Sequence, residues 1–183
     1  NLADARALGA VFEGLSSCPK PVLCRVHGAA IGGGLGLVAA SDVVVAEAGT
    51  KLGLTEARLG IVPAVISPFV LRRMGSGACR SLFLTTRIFL AEEGLRLGLV
   101  DHLAAAGDLD ATVQEVLGEL HRGGPAAQAA CKRLLDEIAP LPLAEAVRRT
   151  PEHIATARAG EEAREGLAAF LEKRPARWTR KGA

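Results

Sequence analysis

Apolar side chains at Leu2, Ala5, Leu8, Val11, Phe12 and Leu15 recur at helical spacing and predict a first helix, which the stretch 16–21, closing on Pro21, terminates. Residues 22–26, apolar apart from Arg25, then read as a short strand, and the stretch 27–34 reads as a turn. A second helix starts near Gly33, is apolar through Ala40 and stops before Asp42, where Val43, Val44 and Val45 predict a buried strand. Residues 51–53 can form another short strand, and 54–60 carry Glu56 on a turn or loop. Pro63 is expected to open a helix through about Met74, with further helices over 77–86 and 91–97 and a last short strand over 99–103. Four amphipathic helices then fill 109–121, 125–138, 143–159 and 161–173, leaving a basic tail, 174–183, that should be loosely ordered.

Composition narrows the possibilities. The 183 residues, 49% apolar, suffice for one substantial core, so the expected organisation is a core over 1–107 with a helical region of the same unit over 108–183. A formal net charge of +2 supplies no broad electrostatic footprint for nucleic acid or an anionic membrane. The uncharged run of apolar and glycine residues ending at Ser41 is too short to span a bilayer, and no secretory leader opens the chain, so a cytoplasmic protein is expected. The chain begins at Asn1 without an initiator methionine or a preceding strand, which suggests further sequence upstream. Cys18, Cys24, Cys79 and Cys131 are scattered and read as small buried thiols. The four histidines share no ligand spacing, and no metal is expected.

The chemistry-bearing segment is His27-Gly28-Ala29-Ala30-Ile31-Gly32-Gly33-Gly34-Leu35-Gly36, where a strand feeds a helix. Glycine there permits close approach of a ligand, so amides at the helix start can face an anion or a developing oxyanion. By spacing alone the run equally describes a structural turn, because it is neither a dinucleotide fingerprint nor a phosphate loop.

Further motifs follow in order: Lys20-Pro21-Val22, the glycine run, Ser41-Asp42-Val43, Leu52-Gly53-Leu54-Thr55-Glu56 and Leu59-Gly60-Ile61-Val62-Pro63. Downstream come Ala91-Glu92-Glu93, Gly98-Leu99-Val100-Asp101, Gly124-Pro125 with Lys132-Arg133, and Glu165-Gly166 to Pro175. Together they resemble the crotonase superfamily of enoyl-CoA hydratases and isomerases over essentially the whole chain. The resemblance implies an α/β fold, a spiral of strand–strand–helix turns that is N-terminally incomplete here, with a C-terminal helical trimerisation region giving a homotrimer or hexamer. It implies an acyl-CoA substrate and no cofactor other than the coenzyme A that the substrate carries.

In such enzymes two backbone N–H groups hold the thioester oxygen as negative charge develops on it. The resemblance assigns one donor to Gly33, flanked by Gly32 and Gly34 at the substrate, and the other to a segment ahead of Asn1. It assigns the acid/base role to Glu56. A second family glutamate falls on Gly36, which can neither donate nor accept a proton. Ala64 falls where a backbone amide helps to hold the reacting water or carboxylate, and Lys173 where a lysine meets the CoA phosphates. The stretch 63–69 resembles hydratases of methylglutaconyl-type CoA esters, which also tend to carry glycine at the Gly36 position. That glycine would leave room for a branched or acidic acyl chain and would spare it like-charge repulsion. Hydration is thus expected, with double-bond isomerisation or a non-catalytic binding role as alternatives. Asp42 is expected to fix its turn, and Arg58 and Glu47 read as surface charges.

Overall fold

A computed structural model describes residues 1–179. The elements are α1 (Leu2–Ser16), β1 (Leu23–Val26), β2 (Ala29–Ile31), α2 (Gly33–Ala40), β3 (Val43–Glu47) and β4 (Lys51–Gly53). A 3-10 turn over Glu56–Leu59 precedes α3 (Ser67–Thr85), β5 (Ile88–Leu90), α4 (Ala91–Arg96) and β6 (His102–Ala104). Four helices follow: α5 (Leu109–Leu120), α6 (Pro125–Ile138), α7 (Leu143–Ala159) and α8 (Glu161–Leu171), with a last 3-10 turn over Arg177–Thr179. The chain divides into two units, one built from Asn1–Cys18 and Val22–Glu115, the other from Pro19–Pro21 and the chain from Val116 onward.

In the first unit β1 to β4 alternate between two three-stranded sheets, after which β5 stays beside β4 and β6 returns to the first sheet. One has the order β1-β3-β6 and is parallel throughout; the other has the order β2-β4-β5, with β2 parallel to β4 and β5 antiparallel to β4. This is the strand–strand–helix spiral: β1 and β2, then β3 and β4, each leave one strand in each sheet before a helix returns the chain. The valine run of β3 fits the central place that it takes, since Val44, Val45 and Ala46 are fully buried between two parallel neighbours. α2 packs on α1, α3 and β2, and its buried Leu35, Val38, Ala39 and Ala40 join Phe12, Leu52, Leu54, Ile66 and Val70 in the core.

Polar side chains close the seams between these elements. Asp42 Oδ2 accepts the Val22 amide at 2.7 Å, so this residue does fix its turn, tying the entrance of β1 to the α2–β3 corner. Arg73 of α3, whose side chain is 12% exposed, reaches both oxygens of Asp101 at 3.1 Å and donates to the carbonyls of Ser41 and Asp42 at 3.0 Å. Asp101 Oδ2 in turn accepts the Val44 amide at 2.7 Å.

Three differences from the sequence reading have local physical causes. β2 and β5 were not expected as strands: Ala29–Ile31 lies inside the glycine turn and Ile88–Leu90 is three residues long, so neither carries a period of its own, and each exists through pairing with β4. The helix expected from Pro63 starts at Ser67, because 64–66 form a turn, while the expected division from a second helix ending near 86 falls at Gly75, where φ is 73° and ψ 166°. The four cysteines are all free, but only Cys79 is buried as expected; Cys18 and Cys24 are half-buried and Cys131 is exposed. Burial pushes the thiols of Cys24 and Cys79 up, which keeps both protonated near neutrality.

In the second unit α7 packs on α6 and α8. Glu162 caps α6, accepting the amides of Ala126 at 3.0 Å and Ala127 at 2.7 Å, two of the donors that a helix start leaves unbonded. The segment 174–179 is ordered, contrary to the expectation for the tail. Glu165, 8% exposed, accepts from Arg174 at 2.7 and 3.2 Å and from the Arg177 amide at 2.9 Å, while Trp178 lies on Gly166 and donates to the Arg122 carbonyl at 3.1 Å. The remainder of that tail, 180–183, lies outside the described residues. No described helix is long and apolar enough to cross a membrane.

Candidate active site

The parallel pairing of β2 with β4 creates the site. Ile31 is level with Gly53, so the two chains leave the carboxyl ends of their strands side by side, where open α/β sheets commonly build ligand sites. One chain turns through Gly32 into α2; the other turns through Thr55 into the 3-10 turn that opens with Glu56. The Gly32 amide donates to the Gly53 carbonyl at 2.9 Å and locks the two exits together.

Gly32 has φ 56° and ψ −121°, a backbone state that a side chain would strain. A β-carbon there would also stand 3.3 Å from Glu56 Oε1 and 3.8 Å from Cδ, so a side chain would press the carboxyl back by a few tenths of an ångström. The Glu56 carboxyl therefore lies directly against the residue that precedes Gly33. The amides of Gly33, Gly34 and Leu35 open α2 and have no carbonyl of their own helix to bond, so their positive ends belong to the same end of the helix. Glu56 Oε2 is buried and has no hydrogen-bond partner among the described residues. A buried carboxylate oxygen without a partner is costly, and groups left in this state mark places reserved for chemistry or a ligand.

The other expected positions fall as follows. Gly34 lines a hollow of about 340 Å³ between β1, β2 and α2, together with Cys24, His27, Ile31 and Leu37. Gly36 is buried and faces packed side chains: a β-carbon there would meet Ile66 Cγ2 at 2.4 Å and Phe12 Cζ at 3.0 Å. The room that glycine was expected to leave for an acyl chain is filled by Ile66. Ala64 is exposed and its amide already donates to the Val62 carbonyl at 2.8 Å, so the donor expected there is engaged within its own turn. Lys173 is exposed at the end of α8, in the second unit, with φ 53°.

Arg58, read from sequence as a surface charge, has a structural task. Its guanidinium donates to Thr86 Oγ1 at 3.0 Å and to the Thr86 carbonyl, fastening the Glu56 turn to the end of α3. Nothing local in the sequence signals this, since Thr86 lies 28 residues away. Glu47 similarly accepts the Gly107 amide at 3.1 Å. Among the described residues no three His, Cys, Asp or Glu side chains gather as metal ligands.

Helix-start amides and the Glu56 carboxyl thus meet at the ends of paired parallel strands, within a two-sheet spiral. The family is that of the enoyl-CoA hydratases and isomerases, to which this chain belongs: the model of that family matches residues 5–181. The crotonyl-CoA hydratase of Syntrophomonas wolfei is 31% identical over 183 residues, a match covering 97% of this chain and 70% of that protein. The carnitinyl-CoA dehydratase of Salmonella typhi is 34% identical over 177 residues, covering 91% of this chain and 67% of that protein. Among solved structures, an enoyl-CoA hydratase from Shewanella pealeana superposes with a TM-score of 0.92 at 40% identity, covering 97% of this chain and 67% of that one. Pseudomonas aeruginosa AtuE gives a TM-score of 0.90 at 40% identity, covering 96% and 68%. The chain thus spans about two thirds of the length of these relatives.

Proposed function

We propose that the chain carries the proton-transfer half of an enoyl-CoA hydratase site, with Glu56 as its acid/base and the Gly33 amide as a donor to the thioester oxygen. The observation that carries this reading is the Glu56 carboxyl seated against Gly32, one residue before the free amides of α2. Names carried by relatives, a crotonyl-CoA hydratase and a carnitinyl-CoA dehydratase, support water addition or loss at an acyl-CoA as the reaction class.

In the forward direction the Glu56 carboxylate takes a proton from water as the water oxygen bonds to C3 of the enoyl thioester. The electron pair of the double bond moves toward the carbonyl oxygen, where the Gly33 N–H stabilises the enolate. Glu56, now protonated, returns the proton to C2, which leaves a 3-hydroxyacyl-CoA and restores the carboxylate. A single group thus serves both steps. The resemblance of the 63–69 stretch to hydratases of methylglutaconyl-type esters supports a branched or acidic acyl chain, and no cofactor beyond the substrate's own coenzyme A enters these steps.

Isomerisation is the second reading because position 36 is glycine, with Ile66 packed against it, so that part of α2 supplies no second carboxylate. One base can move a proton from C4 to C2 without water. The two reactions separate in one measurement on the full-length protein with a panel of enoyl-CoAs. Hydration consumes the ultraviolet absorbance of the conjugated thioester, and isomerisation of a 3-enoyl-CoA creates it. Loss of absorbance with branched or acidic 2-enoyl-CoAs is the expected result; a gain with 3-enoyl-CoAs alone replaces hydration by isomerisation, and no change with either removes the enzymatic reading.

A further inference from the structure

The segment that carries Glu56 is pinned to α2 at both ends. Glu56 itself lies against Gly32, and ten residues later Ile66 lies against Gly36, one turn further along the helix. Between these points the backbone is held by its own short bonds: Gly60 to the Ala57 carbonyl at 3.1 Å, Ile61 to the Glu56 carbonyl at 3.3 Å, Ala64 to Val62 at 2.8 Å and Ser67 to Pro63 at 3.1 Å. These bonds close two short pieces, 56–61 and 62–67, joined directly at the Ile61–Val62 peptide, so a displacement of Ile66 is passed along a short backbone path to Glu56.

Ile66 is 3% exposed, and the space it fills exists only because position 36 has no side chain. The contact is close on more than one side, since Ile66 Cβ would lie 3.1 Å and Phe12 Cζ 3.0 Å from a β-carbon at Gly36. Phe12 is fully buried and stacks at a tilt on Phe69 of α3, with ring centroids 5.8 Å apart, so it cannot yield in place of Ile66. Gly33, the proposed amide donor, lies three residues before Gly36, a little under one helical turn, and is linked to it through α2.

The geometry points to Ile66 as a positioning residue: seated on the bare backbone of Gly36, it sets the distance between the Glu56 carboxyl and the Gly33 amide. This rests on the reading of Glu56 as the acid/base. It assigns Gly36 a role in alignment, through the side chain it admits, and not in contacting substrate.

The test uses Gly36→Ala, Ile66→Ala, Ile66→Val and the double variant Gly36→Ala/Ile66→Ala in the full-length protein. Two readouts are taken: kcat and KM on the enoyl-CoA that the wild type turns over, and the carboxyl ¹³C resonance of Glu56, assigned by its loss in Glu56→Gln. Gly36→Ala should lower kcat roughly tenfold or more through misplacement of the base while KM changes little. Its Glu56 resonance should move, and the double variant, lacking the colliding Cγ2, should recover much of both. Ile66→Val keeps Cγ2 and should match the wild type, whereas Ile66→Ala should lower kcat.

If Gly36→Ala does not fold, the contrast between Ile66→Ala and Ile66→Val decides. Folded Gly36→Ala or Ile66→Ala protein with wild-type kcat and an unmoved Glu56 resonance would overturn the proposal, as would a double variant no better than Gly36→Ala. A wild type silent toward every enoyl-CoA refutes the catalytic reading instead, and the resonance alone then tests whether Ile66 positions the carboxyl.

Discussion

Replacing Glu56 by glutamine separates stability from catalysis more sharply than any other change in this chain. The substitution keeps shape and volume, and its steric neighbours are unaltered, including the bare α-carbon of Gly32 that lies against Oε1. The carboxyl oxygen Oε2 is buried and makes no hydrogen bond among the described residues, so no hydrogen bond there is lost when an amide takes its place. An unpaired buried charge-bearing group is the more expensive of the two, so stability should stay within about 1 kcal/mol of wild type or rise. Catalysis should respond oppositely. An amide can neither accept the proton of water nor return one to C2, and loss of a positioned acid/base lowers kcat by about 10²–10⁴-fold, or roughly 2.7–5.5 kcal/mol of barrier. The assays are urea unfolding followed by circular dichroism and steady-state turnover of the enoyl-CoA by its absorbance. Turnover within a few-fold of wild type in a folded Glu56→Gln protein would refute the acid/base assignment. A loss of more than about 2 kcal/mol of stability would show instead that the carboxyl has a structural partner.

Other expectations follow from the packing and the ion pairs. Phe12→Ala removes a fully buried ring that braces Gly36 and Phe69, and should cost about 3–5 kcal/mol in urea unfolding with an unchanged denaturant slope; a loss under 1 kcal/mol would contradict its place in the core. Arg73→Met leaves the Ser41 and Asp42 carbonyls without this donor and the half-exposed Asp101 with the Val44 amide alone, and should cost about 1–2 kcal/mol, measured in the same way. The Arg174 guanidinium beside Glu165 holds that carboxyl at about 2, below its ordinary 4.5. A depressed folded-state value means that the stabilisation is complete above 4.5 and is lost as pH falls through the window toward 2. The melting temperature of the wild type should therefore drop between pH 5 and pH 3 by more than that of Glu165→Gln, and equal drops would remove Glu165 as the cause.

Much of the architecture was legible locally. The apolar spacing of Leu8, Val11, Phe12 and Leu15 and the valine run of β3 report burial directly, because a helix and a central parallel strand each impose a pattern that survives without knowledge of the partner. The same holds for the glycine turn: three consecutive glycines before an apolar helix announce a close approach, though not what approaches. Family resemblance supplied Glu56, since a carboxylate on a loop carries no periodic signal of its own.

What lay beyond the sequence was decided by contacts between distant residues. Ala29–Ile31 is a strand only because Lys51–Gly53 lies beside it, and that pairing brings the exits toward Gly32 and Glu56 side by side. The engaged amide of Ala64 depends on the path of one turn, and the ordered segment at Arg174 depends on a carboxylate nine residues earlier. Gly36 shows the division most plainly. Read in order along the chain it is a position without a side chain, but thirty residues on stands the isoleucine that fills the space, and only folding brings the two into contact. Local sequence sets which backbone states and which burial are cheap; steric fit across the core selects which of the possible partners meet.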